Sequence, residues 1–363
     1  MRRSRVRRIA APGLALGATA IVLAACGSSG TGISGSGSSG SGSGSSSLSG
    51  TLNASGSTFQ LTFQQAAIQA FKSVQPGMTV NYGGGGSGKG RTDLASGTVN
   101  FAGSDSPVPS AEKAGFKGKT VLYFPVVIGP ITVAYNVPGA KNLKLTAPVI
   151  ANIFQGKIKT WNDPAIKSVN PGVSLPGTAI TIARRSDSSG TTQNFSQFLV
   201  DGAPGVWKLG TDSTINWPAT SRGGNGNGGV AQIVKSTPGA VGYVDYADAK
   251  ASGLTFASVK NKAGSYIAPT VSSASAAASQ ATVASNLTFS AIWAPGASSY
   301  PITAQSWVLV YQKQSEANTS KMLQAYIGYL VGAGQQLLPQ LGYAPLPSGV
   351  DQKAKAQLSK IGS

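Results

Sequence analysis

Ala179-Ile180-Thr181-Ile182-Ala183-Arg184-Arg185-Ser186-Asp187-Ser188-Ser189-Gly190-Thr191-Thr192 reads as a buried strand, a short polar loop and the opening of a helix. β-branched and small apolar residues over 179–183 suit a strand, while hydroxyl residues and glycine just before a periodic stretch mark a helix start. The helix is predicted over 191–200. The same alternation continues outward in both directions. Upstream, Leu61, Phe63, Ala67, Ile68 and Phe71 give 60–74 a helical rhythm. A strand at 78–82, a short helix at 88–96 and a strand at 99–102 follow. Downstream, 228–235 and 240–243 repeat helix then strand; 272–284 reads as an Ala/Ser helix, 302–311 as a strand and 315–331 as an amphipathic helix. Between the two sides, 148–154 and 164–169 read as helices, and the β-rich run 121–137, with Gly129-Pro130 inside it, as two strands or a crossing. Alternating strands and helices predict an α/β fold, and 363 residues suffice for two domains.

Composition removes much chemistry. The chain has no His and one Cys, so it can build no Ser-His-Asp or Cys-His machinery, no His-ligated zinc, no cysteine cluster and no internal disulfide. Hydroxyls, backbone amides, a few carboxylates and Arg/Lys remain. Lys and Arg number 29 against 11 Asp and Glu, a net +18. Five of the arginines (Arg2, Arg3, Arg5, Arg7, Arg8) precede an uncharged apolar run at 9–25, the pattern of a secretory signal and too short for a membrane span. Leu23-Ala24-Ala25-Cys26 resembles the lipobox of bacterial lipoproteins, which implies a lipid on Cys26; the bare alternative is a stray cysteine in a signal or short anchor helix. Residues 27–50 are all Gly or Ser except Thr31, Ile33 and Leu48, a flexible tether. Such a coil spans about 25–30 Å. Set apart from the leader, 24 basic residues still face 11 acidic ones. The lysines are scattered, so the surplus points to an anionic envelope or a small anion rather than to nucleic acid.

Three segments place hydroxyls and glycine at predicted helix starts: Gly56-Ser57-Thr58-Phe59, Gly86-Ser87-Gly88 and Ser188-Ser189-Gly190-Thr191. Free N–H groups and the helix dipole favour an anion there, although each segment alone is also an ordinary N-cap. Arg185 lies at the strand end feeding the third segment, with Asp187 placed to hold its guanidinium; the alternative is a surface ion pair. Asp105, in Phe101-Ala102-Gly103-Ser104-Asp105-Ser106-Pro107, is a candidate acceptor or a turn cap. The Gly/Asn run 223–229 lacks the Lys-Ser/Thr of a phosphate loop and reads as a structural turn entering a helix; in 83–90 a glycine follows Lys89 where a hydroxyl would be needed. Trp161, Trp207, Trp217, Trp293 and Trp307 are expected in the core.

Ile153-Phe154-Gln155-Gly156-Lys157-Ile158-Lys159-Thr160-Trp161-Asn162-Asp163-Pro164 and Arg185-Ser186-Asp187-Ser188-Ser189-Gly190-Thr191-Thr192 resemble the phosphate-binding proteins of bacterial phosphate ABC transporters. So do Pro238-Gly239-Ala240-Val241-Gly242-Tyr243-Val244, Tyr300-Pro301-Ile302 and Leu341-Gly342-Tyr343-Ala344-Pro345-Leu346-Pro347, in the family's order. The resemblance implies a two-lobed, hinged α/β clamshell of the periplasmic-binding-protein kind. Residues 1–25 would be the lipoprotein signal, 26–50 the tether, 51–124 with 299–363 the first lobe and 125–298 the second. It further implies phosphate contacts from Thr58, the Phe59 amide, Ser87, Asp105, Arg185, Ser189, the Gly190 amide and Thr191, with Asp187 orienting Arg185. The implied role is capture of inorganic phosphate by a lipid-anchored extracytoplasmic monomer and delivery to a membrane permease with a cytoplasmic ATPase, without enzymatic activity, cofactor or metal. An envelope phosphatase of related fold, a tethered phosphate sensor and a binder of another oxyanion are the alternatives. Two stretches depart from the family: Gln60-Leu61-Thr62 stands where Pro-Ala-Pro is usual, and Gln193-Asn194 where an apolar residue is usual.

Overall fold

A computed structural model describes residues 48–363. The leader, Cys26 and most of the tether lie outside the described residues. The strands are β1 (Gly50–Gly56), β2 (Met78–Gly85), β3 (Phe101–Ser104), β4 (Val121–Tyr135), β5 (Lys144–Leu145), β6 (Thr181–Arg185), β7 (Arg222–Gly224), β8 (Ala240–Asp245), β9 (Thr255–Phe256), β10 (Ser258–Lys260), β11 (Tyr266–Ile267) and β12 (Thr303–Tyr311). The helices are α1 (Leu61–Val74), α2 (Ser87–Ser96), α3 (Ala147–Phe154), α4 (Pro164–Ser168), α5 (Gly190–Gly202), α6 (Gly226–Ser236), α7 (Tyr246–Ala251), α8 (Val271–Ala278), α9 (Ala317–Val331), α10 (Leu338–Leu341) and α11 (Ser348–Gln357).

β4 organises the molecule. Its residues from Leu122 to Tyr135 are buried, the mark of a strand covered on both faces. From Val121 to Pro130 it pairs with β12, and from Ile131 to Tyr135 it pairs with β8. The partner changes at Pro130, which has no N–H to extend a ladder. One strand therefore serves two half-sheets, β2-β1-β3-β12-β4 and β4-β8-β6-β7, with β9 also on β4. The expected crossing in 121–137 is a single strand that changes partner. A smaller sheet joins β11, β10 and β5. With α1 and α2 packed on the first half and α5 and α6 on the second, the result is a two-lobed α/β fold.

Local chemistry explains the elements that frame the cleft. α1 buries Phe63, Ala67 and Phe71, spaced four apart along one face. Ser189 caps α5, its Oγ accepting the Thr192 N–H at 3.1 Å. The strand expected at 179–183 runs instead from Thr181 to Arg185, because Ala179 bridges Thr160 and the ladder with β8 opens at Thr181–Ala240. That shift makes Arg185 the last residue of the strand. The Ala/Ser helix ends at Ala278, earlier than expected, where the Gln280 and Ala281 amides turn back onto Ala277 and Ala278. Trp161, Trp207, Trp217 and Trp307 are buried as expected, whereas Trp293 is half-buried at a positive φ of 53°.

Candidate functional site

Asp105 follows β3 and is 1% exposed. Hydroxyls surround its carboxylate. Ser57 and Ser306 both donate to Oδ1, Ser306 at 2.6 Å, and Ser87 donates to Oδ2 at 3.3 Å. Burial pushes this carboxyl above the usual Asp range, while the Ser306, Ser57 and Ser87 hydroxyls and the charge of Arg185 hold it down. The loop is braced from behind. Arg91, wholly buried, donates to Ser104 and Ser106 at 3.1 and 3.2 Å and grips Glu112 with two further bonds at 2.6 and 2.8 Å.

Arg185 faces the cleft from the end of β6. Asp187 receives two of its N–H groups, one at 2.8 Å from Nε, and a third group lies 3.4 Å from Thr191 Oγ1. Burial raises the Asp187 carboxyl, but the Arg185 contacts and the Gly226 amide outweigh it and hold the group below its ordinary range. Tyr243 fixes the backbone here: its hydroxyl accepts the Arg185 N–H at 3.0 Å and meets Thr192 Oγ1 at 2.7 Å, and burial pushes its pKa up to about 12.

The two halves touch. The Gly88 N–H at the start of α2 donates to Ser188 O at 3.1 Å, so the N-termini of α2 and α5 meet. Only glycine fits at 190: a Cβ there would lie 2.5 Å from Ser87 Oγ and 2.6 Å from Asp105 Cβ. Asn194 Nδ2 crosses to the Asp105 carbonyl at 2.7 Å. Asn227 Nδ2 reaches Thr58 Oγ1 and Thr191 Oγ1, both at 3.2 Å, tying one half to the other.

The structure brings the candidates named from the sequence to one region where the two halves touch: Thr58, Phe59, Ser87, Asp105, Arg185, Asp187, Ser189, Gly190 and Thr191. The Phe59 amide donates to Ser57 Oγ at 3.0 Å, and Ser189 Oγ serves its helix as a cap. Five neighbours are not among the expected contacts. Ser57 lies within the helix-start segment Gly56-Ser57-Thr58-Phe59 but is not one of them. Ser306 lies in β12, buried at all nine positions, where alternation gives no signal. Gln60 and Asn194, the two departures from the resemblance, are buried hydrogen-bonding residues against Asp105 and its supports. Asn227 corrects the reading of 223–229 as a structural turn alone: that run does enter α6, yet its asparagine sits in the cleft. Its only sequence signal was a place in the first turn of a glycine-led helix.

Two α/β lobes that meet at buried hydroxyls, a carboxylate and a guanidinium fit the solute-binding class, and the PBP superfamily domain matches residues 41–333. The chain is 36% identical to the phosphate-binding protein PstS 3 of Mycobacterium leprae over 96% of its own length and 98% of that protein. It is 36% identical to the phosphate-binding protein PstS of Pasteurella multocida over 85% of its own length and 89% of that one. It belongs to the PstS family of phosphate-binding proteins. Among solved structures, its fold matches a periplasmic phosphate-binding protein (PfluDING) bound with phosphate at a TM-score of 0.71 and 21% identity, covering 85% of this chain and 94% of that one. A phosphate-binding protein from Stenotrophomonas maltophilia matches at 0.67 and 20% identity, over 85% and 93%.

Proposed function

We propose that the protein captures inorganic phosphate outside the cytoplasmic membrane and delivers it to an ABC-type import permease. The carrying observation is the pairing, in one closed cleft, of an acceptor-only carboxylate, Asp105, with a guanidinium, Arg185, that Asp187 holds in place. Around them lie the helix starts at Ser87, Gly190 and Gly226 and the hydroxyls of Thr58 and Thr191. The Arg185 and Asp187 charges cancel. An anion is then held by neutral N–H and O–H dipoles aimed at its oxygens rather than by excess positive charge.

Asp105 selects among anions. Phosphate at neutral pH keeps a proton that this carboxylate can accept, whereas sulfate has none and would set its own lone pairs against those of Asp105. The contacting set is Thr58, the Phe59 amide, Ser87, Asp105, Arg185, Ser189, the Gly190 amide and Thr191, to which Asn227 is added. The lobes of the proposal are 51–124 with 299–363, and 125–298, meeting along β4. The protein works as a monomeric carrier without catalysis, tethered through a lipid on Cys26; among the described residues no helix is long and apolar enough to cross a membrane. Calorimetric titration with phosphate, sulfate and arsenate tests the reading. One equivalent of phosphate bound with sulfate excluded is expected, and equal binding of the two overturns it.

A further inference from the structure

Buried polar side chains run in line from α9 to the cleft, and their polarity can be read. The Trp307 carbonyl, which has no proton to give, accepts an N–H from Gln60 at 3.0 Å, and this fixes which end of the Gln60 amide is nitrogen. The same Nε2 donates to Ser306 Oγ at 2.7 Å. Gln60 Oε1 must then accept, and it does so from Gln64 Nε2 at 2.8 Å. That turns Gln64 Oε1 toward Tyr326, whose hydroxyl donates to it at 2.7 Å. Ser306, already accepting from Gln60, donates its own proton to Asp105 Oδ1 at 2.6 Å. Ser57 repeats the logic: it accepts the Phe59 N–H and donates to the same oxygen. Gln60, Gln64, Ser306 and Tyr326 have no exposed surface. Oδ2 is different. Among the described residues its one donor is Ser87, at 3.3 Å, and it faces Gly190, where an added Cβ would lie 2.8 Å away.

We propose that Tyr326, Gln64, Gln60 and Ser306 form a one-way donor chain that fills Oδ1 of Asp105 and leaves Oδ2 as the oxygen presented to the acidic proton of the ligand. The proposal rests on the phosphate reading above and deepens it. The four are positioning residues, since each acts through the next. Turning over the Gln60 amide would offer Ser306 an oxygen instead of an N–H, and Ser306 would then donate there, not to Asp105. The other groups facing Asp105 do not substitute for the chain. Arg185 stands across the cleft; Tyr82, from β2, donates to Ser57 O at 2.8 Å; Tyr343, after α10, donates to Phe59 O at 2.7 Å. Burial pushes both phenols up, so they stay neutral.

The test follows phosphate and sulfate binding of the full chain over about pH 4 to 8, a window spanning the ordinary Asp range. In the parent, sulfate is excluded until Asp105 takes up a proton. In Ser306→Ala and Gln60→Leu the pH at which sulfate begins to bind rises by about one unit, a tenfold change in the Asp105 protonation equilibrium. Tyr326→Phe moves it in the same direction by less. Ser306→Thr, which keeps the hydroxyl, restores the parent curve, and a merely structural role for Ser306 would move stability without moving this curve. Variants that bind phosphate yet superpose on the parent curve overturn the donor chain alone. A parent that binds sulfate as well as phosphate at every pH overturns the phosphate reading and the chain with it.

Discussion

The two walls of the cleft each carry a buried charge and hold it by opposite means. On the first-lobe side no cation among the described residues touches the Asp105 carboxylate, which is solvated by serine hydroxyls. On the second-lobe side the Arg185 guanidinium is matched by a carboxylate two residues on. An ion pair built within five residues needs little from the rest of the fold. A carboxylate held by neutral dipoles needs donors from distant parts of the chain, here Ser57, Ser87 and Ser306. On the proposed reading the difference divides the work: the paired wall would supply affinity for any tetrahedral oxyanion, and the dipole-held wall would read whether that anion carries a proton.

Substitutions on the two walls break this division in graded ways. The largest effect is expected from Asp105→Asn, which removes the acceptor and offers an N–H. A site built around a ligand hydroxyl discriminates against an analogue lacking it by about 10⁴-fold, and competitive calorimetry should show most of that preference for phosphate over sulfate disappear. Next comes Arg185→Ala, which strips one partner from a buried pair. Phosphate affinity should fall about a hundredfold or more while the preference over sulfate persists. Leaving Asp187 without its partner also costs up to about 3–5 kcal/mol in stability, seen as earlier denaturant unfolding of the ligand-free protein. If Arg185→Ala erased selectivity, or Asp105→Asn only affinity, the division of labour would be wrong. Asn227→Ala, which cuts the bridge between Thr58 and Thr191, should weaken binding about tenfold, chiefly through faster release on stopped-flow.

The smallest effect sharpens the comparison through pH. Asp105 titrates above the ordinary Asp value of about 3.9 because it is buried. Selectivity is therefore fully present above its pKa and lost as pH falls through it, at a higher pH than an exposed aspartate would give. Asp187 is shifted the other way, so the Arg185 pair survives to lower pH. Sulfate should begin to compete in mild acid while the stability contribution of the pair is still intact. Sulfate titrations and denaturant melts on the same samples would show whether the two losses are separated in that order.

What could be read early and what could not divides along similar lines. The helix starts at Ser87 and Gly190 were legible because capping and glycine chemistry act over four or five residues. The Arg185–Asp187 pair was legible for the same reason. Ser306 was not, because it meets Asp105 across 201 residues of chain, from a strand with no polar face, beside the irregularity where β12 slips against Pro125 of β4. Asn227 and Asn194 were invisible as site residues, since an amide in the first two turns of a helix has many uses and only its partners on the other half single one out.

The sequence by itself determined the α/β alternation, the exclusion of His and Cys chemistry, and the local anion-seeking segments, all consequences of interactions between near neighbours. The tertiary structure decided that β4 belongs to both lobes, that the helix starts at Ser87 and Gly190 meet, and which hydroxyls reach Asp105. Those outcomes depend on donors and acceptors brought together by packing, and no short window of residues contains both ends of such a bond.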